Sequence, residues 1–369
     1  MSQIRADIQD VLRRTHLPVL DGLRAMAVMV VIAEHAGLVP SLGGWRMYSG
    51  GMGVSGFFVL SGFLITWLLL REHDKTGRIS LRDFYIRRML RIWPAYYVLV
   101  DLSYLLRGYL NPHPPSGPLT PTLLSALTFT YDYWKAAGGT THLGIHHLWT
   151  VSIEEQFYFL WPALLIVLLR RGREWILKAM VAIIVLVLAW RCLLYFGLGV
   201  GWRYLYHAFD TRLDNLAMGC LLALASTTPG FLRLAKTVVR SSLMPLLTLG
   251  VLVANSNIPN GYHWTIAPTV EAVCMLMLIV QLLQLFPTRL WSWLEHPVTK
   301  YIGVISYSVY LYQYLGLAVA ADLRHGPGAG SLFLIGAAST IAMASISYYL
   351  IERPLLRLRR RFTPPRGAG

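Results

Sequence analysis

Two residues in the first apolar stretch, "LDGLRAMAVMVVIAEHAG" from Leu20 to Gly37, carry groups that hydrocarbon tolerates poorly, Arg24 and His35. A guanidinium is a permanent cation suited to phosphate or carboxylate. A neutral imidazole accepts a proton near pH 7. The eleven steps between the two residues, at 100° each, come back to within about 20° of the same helix face and climb about 16 Å along the axis. Glu34 is turned about 100° from His35 and faces elsewhere.

Other polar groups recur at comparable depth in later apolar runs. "HHLWTVSIEEQFYFLWP", 146 to 162, holds Glu154 and Glu155 about two turns from its start. Adjacent residues cannot share one cavity, so one of the two is expected to face it. "FDTRLDNLAMG" supplies Arg212 and Asp214, and "YIGVISYSVYLYQYLG" supplies Tyr310 and Gln313. "GMGVSGFFVLSGFLIT" sets Ser55 and Ser61 among Gly53, Gly56 and Gly62, residues that let helices approach closely or leave room for the arm of a ligand. In "LRDFYIRRMLRIWPAYY", Arg87, Arg88 and Arg91 fall at i,i+3 and i,i+4, a spacing that predicts guanidiniums converging on a phosphate-rich ligand. A bland reading of those arginines is orientation signal plus lipid headgroups. For Arg212 and Asp214 it is an ion pair at a helix end.

The elements that must position these groups follow from composition. The chain has 369 residues, 55% hydrophobic and only 14% charged, the profile of a polytopic membrane protein. Ten runs approach the length needed to cross hydrocarbon as helices, near 20–38, 52–70, 92–110, 148–169, 175–197, 206–225, 241–255, 266–286, 301–320 and 331–351. The seventh is short and holds Pro245, and 119–131 is too short to span, which suggests a surface or re-entrant helix. Most of the 33 Lys and Arg residues fall in alternate loops, which predicts an all-α fold with ten spans and both termini on the cytoplasmic side. That distribution assigns the net charge of +15 to orientation and anionic-lipid contact, not to nucleic acid. The first apolar run lacks a small-residue cleavage site and is read as an uncleaved anchor. The expected organisation is a cytoplasmic segment 1–19, a transmembrane domain 20–352 and a basic cytoplasmic tail 353–369, with no further domain after it.

The three cysteines lie in apolar runs without pairing or CxxC spacing, so neither a disulfide framework nor a zinc site is expected. His142, His146 and His147 lack an acidic or Cys partner at ligand spacing and are read as loop and interface histidines, so no metal is expected. The long loop at 111–147, rich in Pro, Gly, Thr and aromatics, is a candidate acceptor-binding surface.

Taken in order, "LDGLRAMAVMVVIAEH", "FFVLSGFLIT", "FYIRRMLRIWPAYY", "HLWTVSIEEQFYFLWP", "RLDNLAMG", "ISYSVYLY" and "YYLIERPL" resemble the acyltransferase 3 family, integral membrane proteins that move acetyl and related groups from acyl-CoA to sugars and other acceptors. The resemblance covers nearly the whole chain. It implies that Arg24 and His35 are the essential pair, with His35 as catalytic base. It implies that Glu154 is the acidic residue of the Glu-x-Gln-Phe-Tyr element, with Glu155 at a more variable place, and that Arg88 and Arg91 form the Arg-x-x-Arg that engages CoA. Two positions depart from the family pattern. Ser55 stands where Val-Asp-Ile-Phe-Phe would put Asp, and Gln313 stands where a His often follows the Ser-Tyr-Ser segment.

On this reading acyl-CoA docks its nucleotide on Arg87, Arg88 and Arg91 and sends its pantetheine arm past Arg24, while an acceptor hydroxyl arrives from the outer face. His35 takes the hydroxyl proton and Glu154 orients His35. An acyl-histidine intermediate is an alternative route. Ser61, Glu155, Arg212, Asp214, Tyr310 and Gln313 are the expected substrate-binding residues. Acyl-CoA, with acetyl as the expected acyl group, is a donor substrate, and no permanently bound cofactor is expected. The acceptor is a glycan or glycosylated small molecule, lipids are the other partners, and the inner (cytoplasmic) membrane is the expected location. The rival class is a transporter or flippase of a lipid-linked glycan, which calls for related halves and broken helices.

Overall fold

The apolar runs fold as helix throughout, as hydrocarbon requires of a backbone whose N–H and C=O groups find no other partner there. The computed structural model describes residues 6–14, 17–42, 44–110, 119–139, 143–226, 228–323, 328–359 and 362. Most of the expected basic tail, His142 and the stretch 111–118 of the long loop lie outside the described residues. The principal helices are α1 (Pro18–His35), α2 (Gly50–Thr76), α3 (Leu81–Leu105), α4 (Leu119–Leu127), α5 (Tyr131–Ala136), α6 (Trp149–Leu169), α7 (Arg173–Cys192), α8 (Leu213–Ala225), α9 (Pro229–Val238), α10 (Met244–Ser256), α11 (Ala267–Leu285), α12 (Pro297–Val304), α13 (Ser306–Leu323), α14 (Ala329–Ser347) and α15 (Arg353–Arg359). Shorter helical turns join them. Among the described residues the only strands are a two-residue hairpin after α1, where Ser41 pairs with Arg46 and Leu42 with Trp45.

Among the described residues, five helical stretches are long and apolar enough to cross a membrane, or up to seven if each bent pair is one span. The five are α2, 146–169, 173–197, α11 and the run from Ala329. Of the other expected spans, α1 carries Asp21, Arg24 and Glu34, α3 carries Arg88 and Arg91 in its first half and Asp101 in its second, and α10 has only 13 residues. α1 and α3, the two helices too charged to read as apolar spans, are the ones that bear Arg24, His35 and the arginines of the basic segment. As expected from its length, 119–131 yields only the short α4 and the start of α5.

Three helices depart from the sequence expectation. The ninth run is broken at Ile305, where α12 and α13 meet at 79°. Pro297 starts α12, the His296 ring caps it by accepting from the Val298 N–H at 3.4 Å, and Gly303 lies against the backbone of Asp21. The sixth run begins its main helix at Leu213. Ala208, extended at φ −75° and ψ 142°, separates it from a short helix at Trp202–His207. The third run is continuous with the basic segment before it, because Ser80 caps α3 by accepting from the Asp83 N–H and Glu72 accepts from the Ser80 N–H. Arg87, Arg88 and Arg91 therefore ride on the same rigid helix as Trp93.

At the centre of the bundle is α2. In its most apolar window 78% is buried inside the protein, against 22% for the windows of the 173–197 stretch and the run from Ala329, which are left facing outward. The small residues of α2 make this position possible. A methyl group added at Gly62 would overlap the Leu216 carbonyl, and one added at Gly219 would overlap the Val59 carbonyl, so α2 and α8 meet backbone to backbone. Ser55 and Ser61, also on α2, point their hydroxyls to carboxylates of two different helices. Gly219→Val is expected to destabilise the protein by about 1–3 kcal/mol. A lowered thermal midpoint in detergent would register this, and an unchanged midpoint would refute the contact.

Candidate active site

A cavity of about 370 Å³ lies between α1, α2, α3, α6, the α12–α13 break and the helical turn Tyr348–Glu352 that joins α14 to α15. Its walls hold Arg24 of α1, Arg88 and Arg91 of α3, Glu154 and Tyr158 of α6, and Glu352 just beyond α14. The Arg24 guanidinium bonds Asp21 at 2.9 Å, one turn back on its own helix. Arg88 lies over the Tyr158 ring at 4.9 Å. Ser61 donates to Glu154 at 2.6 Å, fixing one carboxylate oxygen against α2. The break at Ile305 brings Ser306 and Tyr307, at the start of α13, into the same walls. The three guanidiniums share these walls with the carboxylates of Asp21, Glu154 and Glu352, and Arg88 and Arg91 are the cations there suited to an anion, phosphate above all.

Arg87 does not join this set. It lies about 100° from Arg88 around α3, and it pairs with Glu72 of α2 at 2.7 Å while donating to the Phe362 carbonyl at 2.6 Å. The buried Glu72 needs a counter-charge, and Arg87 is the cation on the adjoining face. Glu155 turns away from the cavity as well and accepts from the Trp93 indole N–H at 2.7 Å. Of the adjacent pair, Glu154 is the one that lines the cavity.

His35 lies beyond the cavity's far end. Val54, Phe57, Thr150 and Tyr310 close that end, with the Phe57 and Tyr310 rings 5.9 Å apart. The Thr150 and Tyr310 hydroxyls bond each other at 2.8 Å, and both reach the His147 carbonyl. One turn further along α13, Gln313 Oε1 meets His35 Nδ1 at 2.9 Å, and Tyr314 packs on the His35 ring at 4.9 Å. The same Tyr314 ring stacks with His147 at 5.1 Å and touches His146 at 5.6 Å. His147 Nε2 faces the Leu311 carbonyl at 3.0 Å, so that nitrogen is a donor. The expected pairing of His35 with Glu154 is absent. Each has its own partner, and Thr150, one turn from Glu154 on α6, already belongs to the closed end. Tyr314 carried no signal in the sequence, because its role is purely one of contact between helices.

Arg212 and Asp214 are not a pair. Arg212 is the non-helical residue before α8 and Asp214 lies in its first turn, and the two side chains take different partners. The Arg212 Nε donates to the Tyr206 carbonyl at 3.0 Å, with its guanidinium over the Tyr206 ring. Asp214 binds Arg191 of α7 through both oxygens, at 3.1 and 2.7 Å, and accepts from Thr269 of α11 at 2.7 Å. Both partners of that bridge are fully buried, so it ties α7, α8 and α11 together. Neither Arg212 nor Asp214 lines the cavity described above. Ser55, at the position where the family pattern carries Asp, donates at 2.7 Å to the buried Glu271 of α11, so a carboxylate stands beside this site after all, brought by another helix. Arg191, Glu271 and Glu352 are buried groups that helical periodicity did not single out.

Gln156 links this region to the segment before it. Its amide donates to Asp132 of α5 at 2.8 Å and to the Phe129 carbonyl at 2.9 Å, so the motif that carries Glu154 also anchors part of the long loop. Burial pushes the Asp132 carboxyl up to about 7, against the opposing hydrogen bond from Gln156. Burial likewise lowers the neighbouring Lys135, helped by the nearby Arg203.

A family model described as an acyltransferase domain matches residues 17–352. The chain is 28% identical over 378 residues to the peptidoglycan O-acetyltransferase OatA of Listeria monocytogenes, covering 93% of this chain and 56% of that protein. It is 29% identical over 358 residues to the O-acetyltransferase OatA of Staphylococcus aureus, covering 92% and 57%. The chain thus spans a little over half the length of these relatives. No solved structure matches it.

Because the folded state holds the Asp132 proton more tightly than the unfolded chain does, stability is expected to rise as pH falls from about 7 toward about 4. Asp132→Asn should flatten that dependence in thermal unfolding scans. An identical slope in both proteins would contradict the assignment.

Proposed function

The chain belongs to the acyltransferase 3 family, and on that premise we propose that it is a membrane O-acyltransferase using cytoplasmic acyl-CoA, with acetyl as the group transferred, and a glycan hydroxyl at the outer side of the membrane. It is a multi-pass membrane protein. The topology proposed is ten spans with both termini cytoplasmic, in the inner membrane, as the distribution of Lys and Arg supports. The Listeria relative's name specifies peptidoglycan, and a cell-wall glycan is the acceptor we propose here, with other surface glycans and glycosylated small molecules in the same chemical class.

The observation that carries this reading is the cavity itself, with Arg24, Arg88 and Arg91 in its walls and His35 just past its far end. CoA phosphates would bind Arg88 and Arg91 by charge-assisted hydrogen bonds. The pantetheine arm would run past Arg24 and the Ser61–Glu154 pair, with its amide groups as natural partners for that carboxylate. The thioester would lie against Phe57 and Tyr310, and those rings would part for it to meet His35. His35 would then accept the acceptor's hydroxyl proton while that oxygen attacks the thioester carbonyl, forming the new C–O bond. Collapse of the tetrahedral adduct breaks the C–S bond, and the proton returns from His35 to the departing thiolate. Glu154 serves donor positioning in this scheme, because Gln313 occupies the place beside His35. The split between a donor cavity and a separate imidazole suits an enzyme whose two substrates come from opposite faces.

Purified protein in lipid nanodiscs, given acetyl-CoA and a glycan oligosaccharide, should release CoA thiol and produce acetylated glycan visible by mass spectrometry. His35→Ala should lower the rate by about 10²–10⁴-fold. Undiminished transfer in that variant would sink the mechanism, and glycan movement across sealed vesicles without thiol release would favour transport. Arg88→Ala and Arg91→Ala should each raise KM for acyl-CoA about tenfold or more. An unchanged KM in both would remove the phosphate role.

A further inference from the structure

Gln313 occupies a place where a histidine often stands in the family pattern, and its surroundings define what it does. Its side chain is fully buried. Its amide nitrogen donates to the Tyr310 carbonyl at 3.0 Å, and its amide oxygen faces His35 Nδ1 at 2.9 Å. A backbone carbonyl can only accept. Turning the amide over would set its oxygen against that carbonyl and its NH₂ group against the histidine, so the Tyr310 carbonyl fixes which end of the amide faces His35. An amide oxygen is likewise only an acceptor, and the ring nitrogen opposite it must therefore carry the hydrogen.

We infer that Gln313 is a positioning residue that holds His35 in the Nδ1–H tautomer, leaving the Nε2 lone pair free to take the acceptor's hydroxyl proton. This assigns Gln313 to the base and not to the substrate, and it rests on the proposed reading of His35 as that base. The arrangement does with a neutral amide what a carboxylate does in a Ser-His-Asp site, fixing tautomer and ring plane together. Other titratable groups around the ring are His146 and His147 at the entry to α6, Tyr314 on α13 and Glu34 on α1 itself. Among the described residues no carboxylate hydrogen-bonds His35. Glu34 is engaged with the Gly50 N–H and Arg46. The imidazolium formed during transfer therefore gains no bonded counter-ion, which favours returning the proton promptly to the leaving thiolate.

The test compares Gln313→Leu and Gln313→Glu with the parent and with His35→Ala, after thermal midpoint and acetyl-CoA binding confirm that each variant is folded. Gln313→Leu keeps a similar volume but removes the acceptor, and kcat should fall about 10²-fold through loss of ring orientation, with KM for acyl-CoA unchanged. Gln313→Glu restores an acceptor and adds charge. It should recover most of the activity at high pH and move the acid limb of the kcat/KM profile upward by about one pH unit or more. Nitrogen NMR of the ¹⁵N-histidine-labelled protein, with the His35 signal assigned by difference from His35→Ala, should show a protonated Nδ1 in the parent and a mixture of tautomers in Gln313→Leu. If Gln313→Leu leaves kcat, the pH profile and the tautomer signal unchanged while His35→Ala is inactive, the inference is overturned and the base assignment survives. If His35→Ala keeps parent activity, the base assignment itself fails.

Discussion

Arg24 is a cation held inside an apolar helix, and much of the architecture reads as the consequence of housing it. Its guanidinium bonds Asp21 on the same helix and opens onto the cavity that Arg88 and Arg91 share. Charge in hydrocarbon survives only beside a counter-charge or in a polar cavity, so the helices around Arg24 must supply both. α2 does so by approaching closely through its small residues and by carrying Ser61 to Glu154. α13 does so by beginning at the break after α12, where Ser306 joins the cavity wall. Elsewhere the same constraint appears in a different form. Arg191 and Asp214 are enclosed completely and serve as a brace between α7, α8 and α11, and Glu72 takes Arg87 out of the set that could have met a ligand.

The sequence was most informative where a single helix determines the answer. The divergence of Glu154 from Glu155 and the brevity of the helices in 119–131 follow from local helical geometry, and the structure agrees on both. It was least informative about partners from distant segments. Gln313 meets His35 across 278 positions and Ser55 meets Glu271 across 216, and no periodicity encodes such pairings. The break at Ile305 was hidden for a related reason. Pro297 marks where α12 starts, but the stop lies in packing, with Gly303 pressed against the backbone of α1. Arg212 and Asp214 show the reverse error, in which proximity in sequence suggested a bond while the fold gives each a different partner, the Tyr206 carbonyl and Arg191.

These corrections alter the chemistry more than the fold. Glu154, expected beside the imidazole, lies instead in the arginine-lined cavity, so the His35 layer loses its carboxylate, with Phe57, Thr150 and Tyr310 between the two layers. The arginine-lined layer holds charge, while the His35 layer is made of rings and one amide: Tyr314, His146, His147 and Gln313. Such a division fits a reaction in which an anionic donor must be gripped on one side and a neutral hydroxyl deprotonated on the other.

The claim on which the account rests is that this cavity receives the donor with its phosphates at Arg88 and Arg91 and its sulfur toward His35. Cryo-electron microscopy of the protein in nanodiscs with a non-transferable thioether analogue of acetyl-CoA tests it directly. Pantetheine density is expected along Arg24 and Glu154, with the sulfur ending against Phe57 and Tyr310. An analogue bound outside the cavity, or inside it with the nucleotide beside His35, would contradict it.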